Sequence, residues 1–300
     1  MLSFTEALWL AGIAGRRCYG APMRPPAPPS ITRRTFLRSA AAGAVGLGAA
    51  DGFLIEPRWL EITRHDVHVA GLPRSLDGFT IAQLTDVHLT SIGGLHESLF
   101  AAVQKVAPQL VVLTGDVIDA EASLGALTGL CKGLEGSGRK VLATLGNWEH
   151  WGKVPVERLD EAYARGGARL LGNEHTRLPE GLVVAATDDF CSGHHDVVPA
   201  LRHLPEGPAR LFLTHAPGLL DEVPPGAPRF DLALSGHTHG GQVRPLGFSL
   251  AVPPGSGRFV AGPYETRVGP AYVSRGIGTS VVPARFLCRP ELPVFRLVQG

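Results

Sequence analysis

Leu110-Val111-Val112-Leu113-Thr114-Gly115-Asp116 runs from aliphatic residues into a glycine and a carboxylate, and this pattern decides the reading of the chain. A short apolar run closed by a turn residue is how a strand covered on both faces looks in sequence. Glycine permits unusual backbone angles and close approach, and the carboxylate behind it can offer an oxygen to each of two ions. The pattern recurs. Thr80–Leu84 leads into Asp86-Val87-His88, residues 140–145 into Gly146-Asn147, 209–213 into Thr214-His215, and 231–234 into Gly236-His237-Thr238-His239.

Between these strands, apolar residues at 95, 99, 102, 103 and 106 recur at helical spacing, and Pro108 ends that helix. Residues 122–134 and 155–164 read as helices, the second opening on proline. Segments 59–70, 182–186, 271–274 and 294–298 read as further strands. Alternation in the first half argues for an α/β fold. The second half, richer in strands, fits two stacked mixed sheets flanked by helices. Ligand sites in such sheets lie beyond the carboxyl ends of strands, where all five motifs fall.

The 300 residues are 44% hydrophobic, enough for one large domain with a sizeable core. Lys and Arg number 28 against 27 Asp and Glu, so the basic footprint of a nucleic-acid binder is missing. Cys18, Cys131, Cys191 and Cys288 form no CxxC pair, which argues against a structural zinc knuckle.

Thr32-Arg33-Arg34-Thr35-Phe36-Leu37-Arg38 precedes a small-residue apolar run from Ala40 to Ala50. Paired arginines followed by a weakly apolar stretch resemble a twin-arginine export signal. The run is short of the roughly 20 residues a membrane span needs. We therefore expect residues 1–50 to be a leader and 51–300 a single domain. Residues 1–22 would lie upstream of a true start at Met23, and cleavage would follow Ala50. The twin-arginine machinery would deliver the protein to the periplasm or the outer face of the cytoplasmic membrane, with peripheral membrane association if the leader stays. The competing reading is a basic, flexible arm.

Residues at i and i+2 of an extended segment share a face, so Asp86 and His88 can reach one ion. His237 and His239, framed by glycines, form a similar pair, and imidazole suits Zn, Fe and Mn. Asn147 offers a neutral oxygen. Each motif alone reads equally as a turn; the five together do not. On these residues the chain resembles the calcineurin-like metallophosphoesterase family, in its exported bacterial YkuE-type branch, from about Leu84 to the C-terminus and including segments 235–243 and 272–279. The resemblance implies a four-layer α-β-β-α sandwich with two mixed β-sheets. It implies two divalent or Fe-type ions (Mn, Fe or Zn), roughly 3.5–4 Å apart. Asp86, His88, Asp116 and His239 would hold the first; Asp116, Asn147, His215 and His237 the second. A hydroxide activated between them would hydrolyse phosphodiester or phosphoanhydride bonds, on lipid-linked or nucleotide-type substrates.

One position departs from the family. Trp148 stands where a histidine usually follows the asparagine, and an indole N–H cannot act as a general acid. Three readings stay open. Glu149 or His150 substitutes; the substrate carries a leaving group that needs no acid; or the protein binds metal and phosphate without efficient turnover. Catalytic candidates are thus Asp116, Asn147, Glu149 and His150, and substrate-binding candidates Arg275, Arg285 and Trp148, with surface pairing to Asp or Glu as the alternative for the two arginines. Asp188-Asp189 and His194-His195-Asp196 read as a solvated loop, with the pocket rim as the alternative.

Overall fold

The computed structural model describes residues 32–136 and 138–300. Strand β3 (Leu110–Thr114) shows what organises the chain. Leu110 and Val112 belong to one hydrophobic core and Val111 and Leu113 to another, because the period of two sends neighbours to opposite faces. The first sheet runs β1 (Glu61–Val69), β12 (Glu291–Gln299), β2 (Thr80–Leu84), β3, β4 (Lys140–Thr144) and β5 (Ala168–Leu170). The second runs β10 (Gly262–Thr266), β11 (Gly269–Val273), β9 (Leu232–Ser235), β8 (Arg210–Leu213), β7 (Val183–Ala186) and β6 (Glu174–Arg177). Both are mixed: β12 is antiparallel to β2, and the pairs β6–β7 and β10–β11 are antiparallel, while the other pairs are parallel.

The sheets pack on each other through Ile81, Val112, Leu142, Val184, Leu211 and Leu234. Helices α2 (Gly94–Val106), α3 (Leu124–Leu134) and α5 (Val156–Arg165) bury Leu99, Val103, Leu127, Leu130, Leu159 and Tyr163 against the outer face of the first sheet. Short helices α6 (Val197–Leu201) and α7 (Leu219–Glu222), with Phe259, cover Phe212 and Ala233 of the second. The result is the α-β-β-α sandwich expected. Strands β5, β6 and β10 were not legible as strands. They are short and lie at or next to a sheet edge, where half-exposed polar residues such as Arg169, Glu174 and Glu265 blur the pattern. Asn147 opens a further short helix, α4 (Asn147–Trp151), where a turn was expected.

Helix α1 (Arg33–Ala50) has no buried residue. Residues 1–31, with Met23 and Cys18, lie outside the described residues, where Cys131, Cys191 and Cys288 are free. The compact unit that holds both sheets runs from Val45 to Gly300. Residues just past the expected cleavage point pack within it: Gly52 lies against Arg285 and Phe286, and the Glu56 carboxylate accepts the amides of Leu287 (2.8 Å) and Cys288. No helix of the described residues is long and apolar enough to cross a membrane.

Candidate metal centre

Strand register sets the site. Leu84 pairs with Leu113 and Thr114 with Thr144, so the chain leaves β2, β3 and β4 side by side; Leu213 pairs with Leu234 in the other sheet. Buried Gln83 ties the two sheets at this end, its amide donating to Thr114 Oγ1 (2.9 Å) and the Ser235 carbonyl (3.0 Å). The loops then meet too closely for side chains at the glycines. A Cβ on Gly115 would lie 2.6 Å from His215 Nδ1; one on Gly146 would overlap Asp116 Oδ1, and one on Gly236 would overlap Thr85 Oγ1.

Among the described residues, two trios of donors converge: Asp86, His88 and His239, and Asp116, His215 and His237, the atoms of each within 4.8 Å of one another. His88 Nε2 is 3.1 Å from His239 Nε2, and Asp86 Oδ1 is 3.4 Å from the latter. His215 Nε2 is 3.1 Å from Asp116 Oδ2 and 3.3 Å from His237 Nδ1. Asp116 Oδ2 also lies 3.9 Å from His88 Nε2, so it stands between the trios. Five of these residues, Asp86, His88, Asp116, His237 and His239, adopt left-handed φ between 48° and 69°. Such conformations cost of order 1–3 kcal/mol each and persist where the surroundings over-determine them.

The donors fit metal ions. Two ligands bound at ~2.1 Å to one ion lie roughly 3.0–3.4 Å apart, the spacing found within both trios. The Asn147 side-chain oxygen is buried without a hydrogen-bond partner beside them. Three imidazoles have the nitrogen facing away from the trios satisfied: His88 Nδ1 by Asp119 Oδ1 (2.7 Å), His215 Nδ1 by the Thr114 carbonyl (2.8 Å) and His237 Nε2 by the Pro254 carbonyl (2.7 Å). That is how proteins fix the tautomer of a metal-binding histidine. Asp119 was missed in sequence; its signal is a second carboxylate three residues after Asp116.

Without a cation the charges are frustrated. Burial, reinforced by Asp116, holds Asp86 above the usual carboxylate range despite His215. Asp116, equally buried, is held below that range by His215. His215 rises well above its ordinary value because Asp116 outweighs burial, and His239 is driven well below by burial and by neighbouring His88.

Five expectations need correction. Glu149 is not positioned as an acid. Its carboxylate is buried and accepts backbone amides of Val117 (2.6 Å), Gly146 (3.0 Å), Asp116 (3.1 Å) and Ile118 (3.3 Å), pinning the two glycine loops together. Burial and Asp116 push its pKa up to about 7. His150 turns to Asp188 (2.6 Å) and stacks on His194, ring centroids 3.9 Å apart. Arg285 is fully buried and spends its guanidinium on the carbonyls of Gly278, Arg275 and Cys288. Arg275 is paired with Glu291 (3.1 Å) and Glu61 (2.8 Å). Nor is Asp188-Asp189 a solvated loop: both are buried, and Asp189 caps the Ser192 amide.

The centre opens into a cavity of about 430 Å³ with Asp116, Asn147, His237 and His239 among its lining residues. Trp148 forms one wall, its ring edge-on to those of His88 and Trp151 (centroids 5.8 Å from each). Its backbone N–H donates to Asp116 Oδ1 (2.8 Å). Residues 251–254 and Val281 complete a mostly apolar mouth that the sequence did not reveal.

Residues 79–241, which contain all seven expected ligands, match the family described as calcineurin-like phosphoesterase. The metallophosphoesterase YkuE of Bacillus subtilis (strain 168) is 31% identical over 285 residues, spanning 89% of this chain and 98% of its own length. The phosphodiesterase YaeI of Escherichia coli (strain K12) is 30% identical over 283 residues, 89% of this chain and 100% of its own.

Proposed function

We propose, because this chain belongs to the calcineurin-like phosphoesterase family, that it hydrolyses phosphodiester or phosphoanhydride bonds in a metal-dependent reaction. The observation that carries this is the convergence of two donor trios on one open cavity, with Asp116 between them. Asp86, His88, Asp116 and His239 would hold one ion, and Asp116, Asn147, His215 and His237 the other. When bound, such a pair supplies a nucleophile at neutral pH and neutralises charge on the phosphoryl oxygens.

The chain's own residues do the rest. Asp119 and the Thr114 and Pro254 carbonyls aim the imidazoles. Glu149 holds the Gly115 and Gly146 loops in register, and Trp148 and Trp151 line one side of the cavity. Neither Glu149 nor His150 takes the place of that histidine: Glu149 is engaged by amides and His150 by Asp188. General-acid help is worth 10²–10⁴-fold, so the favoured substrates are those whose leaving group departs unprotonated. The apolar mouth suits a lipid-linked phosphate ester. Arg33-Arg34 and the small-residue helix after them support export by the twin-arginine machinery; the envelope pool should vanish in cells lacking that translocase.

The test is turnover of an aryl phosphodiester with added Mn²⁺, expected in the wild type and abolished in Asp116→Asn. No hydrolysis with Mn²⁺, Fe²⁺ or Zn²⁺ would overturn the proposal. It would leave a metal- or phosphate-binding envelope protein, a reading whose sole support is Trp148.

A further inference from the structure

Loops that lead away from the cavity mouth hold apolar side chains out at some cost. Leu246 and Val281 are 90% and 92% exposed, and Phe248, Leu250, Val282 and Leu287 are also exposed. Leu246, Val281 and Leu287 sit at φ of 57°, 62° and 53°. Bulky and β-branched residues rarely take that conformation, so three turns present large apolar side chains where a glycine or asparagine would be easier. The turns are braced against one another. Val243 bridges to Phe286, the Arg244 amide donates to the Phe286 carbonyl (2.8 Å), and the Gln242 side chain binds the Ser280 amide and the Val282 carbonyl (both 2.8 Å).

This rim is continuous with the site, since Ser280 and Val281 line the catalytic cavity. On its other side Thr279 and Pro283 share a groove with exposed Phe53 and Leu54. The two segments that carry the rim lack acids: residues 242–264 and 266–290 contain no Asp or Glu. Arg244 is two residues from Leu246, and Arg58 lines the groove with Phe53 and Leu54, whose lining holds no carboxylate; Trp59 and Arg289, farther out, share a pocket with Asp51, Glu56 and Glu61. Separate apolar knobs on short turns, with Arg244 and Arg58 at their margin and no Asp or Glu in the segments that carry them, match the two forces that hold a protein on a bilayer: burial of apolar side chains among acyl tails and attraction to anionic headgroups.

We propose that this face docks on an anionic lipid bilayer, so that the metal centre opens toward phosphate groups at the membrane surface. The docking rests on the rim alone; only its consequence for substrate choice rests on the phosphodiester reading above.

The experiment is co-sedimentation of the full chain with vesicles of phosphatidylglycerol and phosphatidylcholine in equal parts, and of phosphatidylcholine alone. The comparison is the triple variant Leu246→Asp, Phe248→Asp, Leu250→Asp, whose positions lie outside the cavity lining. Asp tolerates left-handed φ better than Leu, so the change at 246 favours folding. Wild type should bind the anionic vesicles and lose most binding to neutral ones or in high salt. The variant should bind anionic vesicles at least tenfold more weakly, with its melting temperature and its turnover of a water-soluble aryl diester unchanged. Variant binding equal to wild type would overturn the proposal, leaving helix α1 as the membrane contact. So would wild type that ignores both vesicles, or that forms a dimer which the variant abolishes. Soluble-diester turnover in the same preparations keeps failure of docking distinct from failure of the catalytic reading.

Discussion

Glu149→Gln separates two roles that one carboxylate could have in this site. The side chain keeps its size, but an amide nitrogen cannot accept hydrogen bonds. Oε1 serves Val117 and Ile118, and Oε2 serves Asp116 and Gly146. Whichever way the amide turns, two buried N–H groups face an NH₂. Hydrogen bonds to a charged group are worth ~1.5–3 kcal/mol each, so the loss is about 3–6 kcal/mol. Against it stands the burden of the buried charge. A rise in pKa from 4.5 to about 7 corresponds to about 3 kcal/mol against the ionised form at neutral pH. That figure already includes the amide hydrogen bonds, which act to lower the pKa, so without metal the neutral amide loses little or nothing. With two cations beside Asp116 the charged form is favoured again, the burden lifts, and the full loss appears. The variant should therefore melt near the wild type in chelator but gain far less stability from Mn²⁺. Calorimetric titration should show metal affinity down by roughly 10–100-fold, as for other groups that orient metal ligands. If metal affinity were unchanged and only the protonation-dependent limb of the kcat–pH profile disappeared, Glu149 would be the acid after all and the brace argument wrong.

Two further outcomes follow from the same geometry. Trp148→His should raise kcat on a diester with a poor leaving group by 10²–10⁴-fold while leaving an activated aryl diester nearly unaffected; no change on the poor substrate would show that the tryptophan causes no deficit. Asp119→Asn replaces the carboxylate that holds His88 Nδ1 at 2.7 Å and should weaken metal binding by roughly 10–100-fold, read by Mn²⁺ titration; unchanged affinity would show that His88 needs no such partner.

The central strands were legible because each face of each is covered. Leu110–Thr114 or Leu232–Ser235 has no reason to carry a charge, and such runs ended by glycine or histidine stand out. The candidate donors were legible for a related reason: a parallel sheet delivers every strand end to the same side, so their order in sequence implies their meeting in space. The supporting residues were not legible. Glu149 and His150 follow Asn147 as plainly as an acid would, and only α4, a single turn of helix, shows that they face Val117 and Asp188. Arg285 looked like a phosphate ligand because a guanidinium can meet phosphate by bidentate contact. Its partners are carbonyls, which sequence does not mark. The apolar rim was hidden because its residues are spread over loops 242–254 and 279–287 and join only through pairings such as Val243 with Phe286.

The tryptophan in place of histidine and the apolar mouth make more sense together than apart. An imidazole at position 148 would set a polar ring into a wall made of Trp151, residues 251–254 and Val281 and interrupt its apolar surface. An indole adds apolar surface to the same wall and packs edge-on against His88. The exchange costs general-acid assistance and gains a continuous apolar surface from the metal centre to the exposed rim. That trade favours a substrate whose leaving group is already a good one and whose remaining bulk is apolar. It therefore ties the chemistry of the site to the surface around it: a site that cannot push off a poor leaving group gains most from being held where its ester is concentrated.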